Sequence, residues 1–336
     1  MTCPIDCSKA RFAVAVVHEA AQLVRRVQWE MVSRALAKDD KSPVTVADFA
    51  AQALIGKRLE ETFPEMGFVG EECSDSLRTP KGRKMLRQIT DFIRQPIPEA
   101  TDDNVCQWID RGTGEPTKNF WTLDPVDGTK GFLRGDQYAV ALAYLRDGVV
   151  QVGALGCPEL ADGVRPDKGG AGSLLVARRT DGTFVRSLGD DDEGEAAEWK
   201  PLWVSNTTDV TCTRLLRSVE KTHTSTSGIG QLVARLGITA DPIPMDSQAK
   251  YAVLAAGGGD VILRLLSSSR LEDREKIWDQ AAGSILVEEA GGRVSDLNGR
   301  PLDFSQGRTL AKNRGVLVTN GHLHTVMLEG LKRIGA

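Results

Sequence analysis

The middle of the chain holds two pairs of apolar runs, each broken by an Asp-Gly dipeptide. Tyr138–Leu145 and Val149–Leu155 flank Asp147-Gly148, and Ser173–Ala177 and Phe184–Arg186 flank Asp181-Gly182. Asp-Gly between apolar runs signals a hairpin, because both residues tolerate the positive φ that a tight turn requires. Parallel strands need long crossover connections, so strands in direct succession imply a largely antiparallel sheet, not a doubly wound parallel one. Upstream, apolar residues from Ala13 to Met31 recur at helical spacing, predicting a long helix over about 8–37. A second helix is predicted over Val46–Phe63. Short strands are predicted at Gly67–Gly70 and Phe120–Leu123. Residues 73–118 read as irregular and charged, with helix near Lys81–Arg94.

Gly189–Glu198 carries six acids in ten residues without periodicity. This reads as a solvated connector and divides the chain into an N-terminal α+β subdomain (1–188), the acidic connector (189–199) and a C-terminal α/β subdomain (200–336). Beyond the connector, strands at Leu202–Ser205, Asp260–Leu265 and Val316–Thr319 alternate with helices near 211–219, 228–236, 247–256, 278–289 and 323–334.

Composition removes several kinds of chemistry. With 42 Lys+Arg against 46 Asp+Glu the net charge is −4, which argues against a binder of nucleic-acid backbone. Four histidines leave little room for a site built on several His ligands. Six scattered cysteines without a C-x-x-C read as free thiols of a reducing compartment, so a cytoplasmic location is expected. The longest apolar run near the N-terminus, Phe12–Val17, is too short to span a membrane.

Acid chemistry therefore falls on carboxylates. In Leu123-Asp124-Pro125-Val126-Asp127-Gly128-Thr129, two aspartates lie three apart at the end of an apolar strand. A turn there would point both carboxylates and a carbonyl outward, which suits a hard cation such as Mg²⁺. A helix beginning near Gly128 and Thr129 would add free N–H groups for an anion. The same string is equally ordinary turn chemistry. Glu71 closes the short strand of Gly70-Glu71-Glu72, which is also a common surface pair. Asp279 falls in the first turn of a helix opening at Ile277, where an acid is at home anyway. Thr45-Val46-Ala47-Asp48 matches a capping box at a helix start. Spacing does not show that these acids converge.

Several strings carry a resemblance: VTVADFAAQALI (44–55), VGEE (69–72), LDPVDGTKGFLRGDQYAVALA (123–143), DSQAKYAVLA (246–255) and EKIWDQAAGSILVEEAGG (275–292). From about Ala10 to Asn320 the chain resembles the lithium-sensitive, magnesium-dependent phosphatases of the inositol monophosphatase superfamily. DGTKGFLRG together with DSQAKY points to the 3′(2′),5′-bisphosphate nucleotidase branch. The resemblance implies a layered αβαβα fold, an α/β (α+β) architecture of two subdomains.

It also implies roles. Glu71, Asp124 and the Val126 carbonyl would hold one Mg²⁺, and Asp124, Asp127 and Asp279 a second, with a third ion near Glu71 when substrate is present. Thr129 would orient an attacking water and Asp48 accept its proton. Gly128 and Thr129 amides would hold phosphate oxygens. Ser247, Lys250 and Arg264 would meet the nucleotide's second phosphate, with His223 near base and sugar. The implied reaction is hydrolysis of the 3′-phosphate of adenosine 3′,5′-bisphosphate to AMP and phosphate, with 3′-phosphoadenosine 5′-phosphosulfate as a second substrate, by a monomer or homodimer. The rival readings are an inositol phosphate phosphatase and a catalytically inactive binding protein. Two departures stand out: Gln280 replaces a His common after the metal aspartate, and Cys73 replaces a common acid. The loop Asp162–Gly172 has no assignment.

Overall fold

The computed structural model describes residues 4–32, 42–189, 198–219, 226–265 and 274–335. The first half builds a seven-stranded sheet from β1 (Gly67–Gly70), β2 (Asn119–Asp127), β3 (Ala139–Arg146), β4 (Val149–Cys157), β7 (Ser173–Arg178), β8 (Gly182–Ser187) and β9 (Lys200–Leu202), in that spatial order. A two-stranded ribbon, β5 (Leu160–Ala161) and β6 (Arg165–Pro166), interrupts the sequence between β4 and β7. Only β1 and β2 run parallel in the large sheet, and every other pairing is antiparallel. Asp147 and Gly148 both take positive φ (52° and 73°), as the first hairpin requires. In the second hairpin the left-handed residues are Thr180 and Gly182, so that turn is centred one residue earlier than Asp181-Gly182 suggests. The strand expected at Leu202–Ser205 is Lys200–Leu202, and it pairs with β8 on the edge of this first sheet.

The second sheet has the order β11 (Ile243–Pro244), β10 (Leu215–Arg217), β12 (Val261–Arg264), β14 (Val316–Thr319), β13 (Arg293–Ser295). The helix expected over 211–219 is absent. Val210–Cys212 forms one 3₁₀ turn, and Leu215–Arg217 pairs in parallel with β12 and β11. Pairing with strands remote in sequence overrides the local preference of a short apolar run.

Helices α1 (Ser8–Val27), α2 (Ser42–Thr62), α3 (Arg83–Ile93) and α4 (Asp102–Asp110) share an apolar core with one face of the large sheet. After α5 (Thr129–Arg134) and α6 (Thr226–Leu236), helices α7 (Ala249–Ala255) and α8 (Ala281–Glu289) fill the space between the sheets. The outer face of the second sheet packs on α6 and α9 (His324–Arg333). The layers thus read αβαβα. Strand β3 shows why its sequence lacks polar alternation. Val140, Leu142 and Tyr144 face the first core, while Ala139, Ala141, Ala143 and Leu145 face the second. A strand covered on both faces is apolar throughout.

Two helices begin elsewhere than the sequence suggests. Helix α4, inside the stretch read as irregular, opens on Thr101, whose hydroxyl accepts the Asn104 N–H at 3.2 Å. Helix α2 starts at Ser42, so Asp48 lies within the helix and Thr45 is no cap. Among the described residues, no helix is long and apolar enough to cross a membrane.

Candidate active site

The end of β2 shows how the paired aspartates come together. On a regular strand, residues three apart point to opposite faces. Here the register with β3 slips: Asp124 pairs with Ala141 but Asp127 with Ala139, three steps against two. The bulge falls at Pro125 and Val126, where a proline lacks the N–H a ladder would need. It resets the alternation, so both aspartates stand opposite residues of one sheet face, the one turned toward α7 and α8. Gly128 follows in the left-handed region (φ 93°) and leads into α5, and a Cβ there would lie 2.8 Å from that of Ser247. Glycine is required on both counts.

Glu71 arrives beside them because β1 runs parallel to β2, with Gly70 level with Leu123. Its approach is set by Gln52 of α2, a fully buried amide. Gln52 donates to the Glu72 carbonyl at 2.7 Å and the Ile109 carbonyl at 2.8 Å, and accepts the Glu72 N–H at 3.0 Å. A Cβ on Gly70 would meet Gln52 Oε1 at 2.4 Å, so only glycine admits this contact. Asp48, one turn before Gln52, does not line the cavity. Burial, then Glu72 and Glu71, push its carboxyl well above the usual range. Asp279 lies in a turn before α8, which starts at Ala281, and not inside the first helical turn.

Glu71, Asp124, Asp127 and Asp279 line one cavity of about 400 Å³, together with Val126, Gly128 and Thr129. Asp124 is 3% exposed, and its Oδ1 is buried with no hydrogen-bond partner. Burial first, then Glu71, Asp127, Asp279 and Asp48, raise its carboxyl well above normal. Burial, Glu72 and Asp127 bring Glu71 up to about 7. Burial and Asp127 likewise raise Asp279. No three acidic, His or Cys side chains among the described residues are grouped closely enough to hold an ion as they stand. Yet an orphaned buried carboxylate oxygen among mutually repelling acids is the donor set that a hard cation satisfies, and these residues fit one.

The same cavity also carries cations. Lys250, from α7, is buried, and burial lowers its ammonium to about 8 against the pull of Asp127. Arg264, at the end of β12, is held by Glu275 through Nε at 3.1 Å and Nη2 at 2.9 Å. Glu275 accepts from Gln280 Nε2 at 2.9 Å, and Tyr251 donates its hydroxyl to Gln280 Oε1. Gln280 is thus a lining residue that links Tyr251 to the Arg264 ion pair. Ser247 also lines the cavity, and its backbone is left-handed (φ 64°), a costly conformation for a residue with a side chain. His223 lies outside the described residues.

Sequence reading passed over Gln52, Gln248 and Asp246. Asp246 accepts from Arg134 at 2.5 Å and from Ser218 at 2.7 Å, fixing α5 to the turn before α7. Two of the three sit inside the DSQAKY string. No local pattern marks a glutamine as a brace.

A layered αβαβα fold with acids and cations lining one cavity is that of a sugar-phosphatase-like enzyme. Residues 6–335 match the inositol monophosphatase family model, and the chain belongs to that family. The 3′(2′),5′-bisphosphate nucleotidase of Schizosaccharomyces pombe is 41% identical over 340 residues, covering 96% of this chain and 94% of its own. That of Emericella nidulans is 37% identical over 345 residues, with 96% and 97% covered. Among solved structures, Mycobacterium tuberculosis SuhB matches with a TM-score of 0.61 at 20% identity, over 97% of this chain and 96% of its own. A Thermotoga maritima IMPase matches at 0.63 and 19%, over 98% of both. These two bear on the fold alone.

Proposed function

We propose that the chain is a Mg²⁺-dependent phosphatase that removes the 3′-phosphate of adenosine 3′,5′-bisphosphate, and of its 5′-phosphosulfate analogue, giving inorganic phosphate. The observation that carries this reading is the pairing, in one cavity, of Glu71, Asp124, Asp127 and Asp279 with Lys250 and Arg264. A nucleoside bisphosphate needs both: cation ligands around the reacting phosphate and fixed positive charge for the other. The nucleotidase relatives, which span nearly the whole chain, support that choice of substrate.

Glu71, Asp124, Asp127, Asp279 and the Val126 carbonyl would hold two or three ions. Bound Mg²⁺ would supply positive charge for phosphate oxygens and make water acidic enough to attack near neutral pH. The rest falls to the chain. Thr129, exposed to the cavity at the start of α5, orients the attacking water through its hydroxyl. Asp48, behind the cavity lining and near enough to Glu71 and Glu72 for their charge to act on it, would take up the proton. The amides of Gly128 and Thr129 hold phosphate oxygens. Ser247, Lys250 and Arg264 receive the second phosphate, Arg264 with its fork pre-oriented by Glu275. His223 would sit toward base and sugar. These groups come from both sides of the acidic stretch, which supports two subdomains sharing one site. Free thiols at Cys7, Cys73, Cys106, Cys157 and Cys212 support a cytoplasmic setting.

The test is phosphate release from adenosine 3′,5′-bisphosphate, the phosphosulfate and inositol phosphates in parallel, with and without Mg²⁺ and lithium. Preference for the adenosine bisphosphate is expected. Faster cleavage of inositol phosphates would overturn the substrate assignment, and no release from any of them would point to a binding protein.

A further inference from the structure

Arg308 lies outside the cavity, on the loop between β13 and β14, and is half-buried. Its Nη2 donates to the Gly70 carbonyl at 2.6 Å. Its Nη1 donates to the carbonyls of Gly112 at 3.1 Å and Gly114 at 2.9 Å. The same guanidinium sits over the ring of Trp278, 4.9 Å from its centroid. The backbone around Arg308 is pinned as well. Ile277 N–H donates to the Arg308 carbonyl at 3.2 Å, and Leu310 N–H to the Glu275 carbonyl at 2.9 Å.

Two of these contacts abut the acids of the cavity. Gly70 precedes Glu71, and Trp278 precedes Asp279. One planar cation therefore grips the end of β1 by one hydrogen bond, the neighbouring Gly112 and Gly114 carbonyls by two more, and the approach to α8 by its face. Arginine is the side chain that does both, since its five donors lie in a rigid plane that also stacks on aromatic rings. Glu71 and Asp279 line the same cavity, and two carboxylates repel one another when ionised, so a site using both must resist their separation.

The geometry points to Arg308 as a positioning residue for the divalent-cation site, a brace that fixes Glu71 relative to Asp279 without touching substrate or cation. This rests on the reading of those two acids as cation ligands. It extends that reading to an arginine that no local motif marks.

The test uses the full chain, stripped with a chelator, as wild type, Arg308→Lys and Arg308→Gln. Mg²⁺ binding is followed by calorimetry and by the rise of the unfolding temperature with added MgCl₂. Loss of an outer brace typically weakens metal binding by ~10–100-fold. Both variants should therefore bind Mg²⁺ at least about 10-fold more weakly, with turnover at saturating Mg²⁺ much less affected. Lysine should fail to rescue, because it keeps the charge and loses the fork and the stack. Trp278→Phe, which leaves the three hydrogen bonds intact, should weaken Mg²⁺ binding in the same direction and serves if the arginine variants do not fold. Wild-type Mg²⁺ affinity in variants that are destabilised equally with and without Mg²⁺ would overturn the proposal and leave the cation reading standing. Absence of Mg²⁺ binding by the wild type would overturn both.

Discussion

The backbone N–H of Gln248 donates to Oδ2 of Asp127 at 2.6 Å, tying the start of α7 to the end of β2 across 121 residues of sequence. The Gln248 side chain extends the tie. Its Nε2 donates to the Trp278 carbonyl at 3.1 Å, and its Oε1 accepts the Gly283 N–H at 2.9 Å, one of the donors that the first turn of α8 cannot satisfy itself. A single buried glutamine thus orients Asp127 from one side and the Asp279 segment from the other.

Gln248→Ala should strip partners from two buried backbone groups. Leaving such groups unsatisfied costs ~1–3 kcal/mol each, so a loss of about 2–6 kcal/mol is expected in denaturant unfolding. Phosphate release should fall as well, because Trp278 and Asp279 lose their anchor. Wild-type stability in this variant would remove the glutamine from the frame of the site.

Asp124→Asn should reduce phosphate release by more than the ~10–100-fold that outer-shell changes cost, since Asp124 is read as shared between two ions. Stability without divalent cations should move the other way. The folded-state pKa of Asp124 is raised by burial and by its acidic neighbours. The stability it contributes is full below its unfolded-state value and is lost as pH rises through the folded-state value. In chelator at neutral pH the variant should therefore unfold at a temperature equal to or above that of the wild type. Thermal melts in chelator at acidic and neutral pH check this, with the gap between the two proteins narrowing at acidic pH.

Lys250→Met should act on substrate choice. Lys250 is buried at the cavity wall facing Asp127 and Asp246. A hydrogen bond to a charged group is worth ~1.5–3 kcal/mol, so kcat/KM for the bisphosphate should drop by about 10- to 100-fold. Hydrolysis of a nucleoside 3′-monophosphate, which lacks the second phosphate, should change little. Equal losses on both substrates would assign Lys250 to the reacting phosphate instead.

His324 should set an acid limit to stability far from the cavity. It is fully buried at the start of α9, with Nε2 2.9 Å from Ser295 Oγ and Nδ1 3.0 Å from Thr319 Oγ1. Burial, with Arg293 second, lowers its pKa from 6.5 to about 4. The neutral ring's contribution is full above 6.5 and is lost as pH falls toward 4. The expected loss over that window is roughly 2–3 kcal/mol. Denaturant midpoints of wild type and His324→Gln across pH 4–7 check it, the variant lacking this step.

Much of the first sheet is written locally. Asp147-Gly148 marks a turn because two consecutive residues there need positive φ, and the β1 strand stands out as a short apolar run before two acids. The acids themselves were legible as residue types suited to a hard cation. Other features were not. Leu215–Arg217 reads as helix because nothing nearby shows that Val261 and Ile262 will pair with it. Thr45–Asp48 looks like a capping box because the Ser42-Pro43 pair that opens α2 reads equally well as the end of a polar loop.

The sequence by itself determined the antiparallel hairpins, the supply of carboxylates and the family strings, since these depend on turn conformation and residue chemistry within a few positions. Only the tertiary structure decided that the Pro125 bulge turns Asp124 and Asp127 to one face. It alone brought Glu71 and Asp279 to the same cavity and set Gln52, Gln248 and Arg308 around them. These are pairings between residues tens to hundreds of positions apart. Their energy comes from buried hydrogen bonds and shared cores, which appear only once the chain has closed on itself.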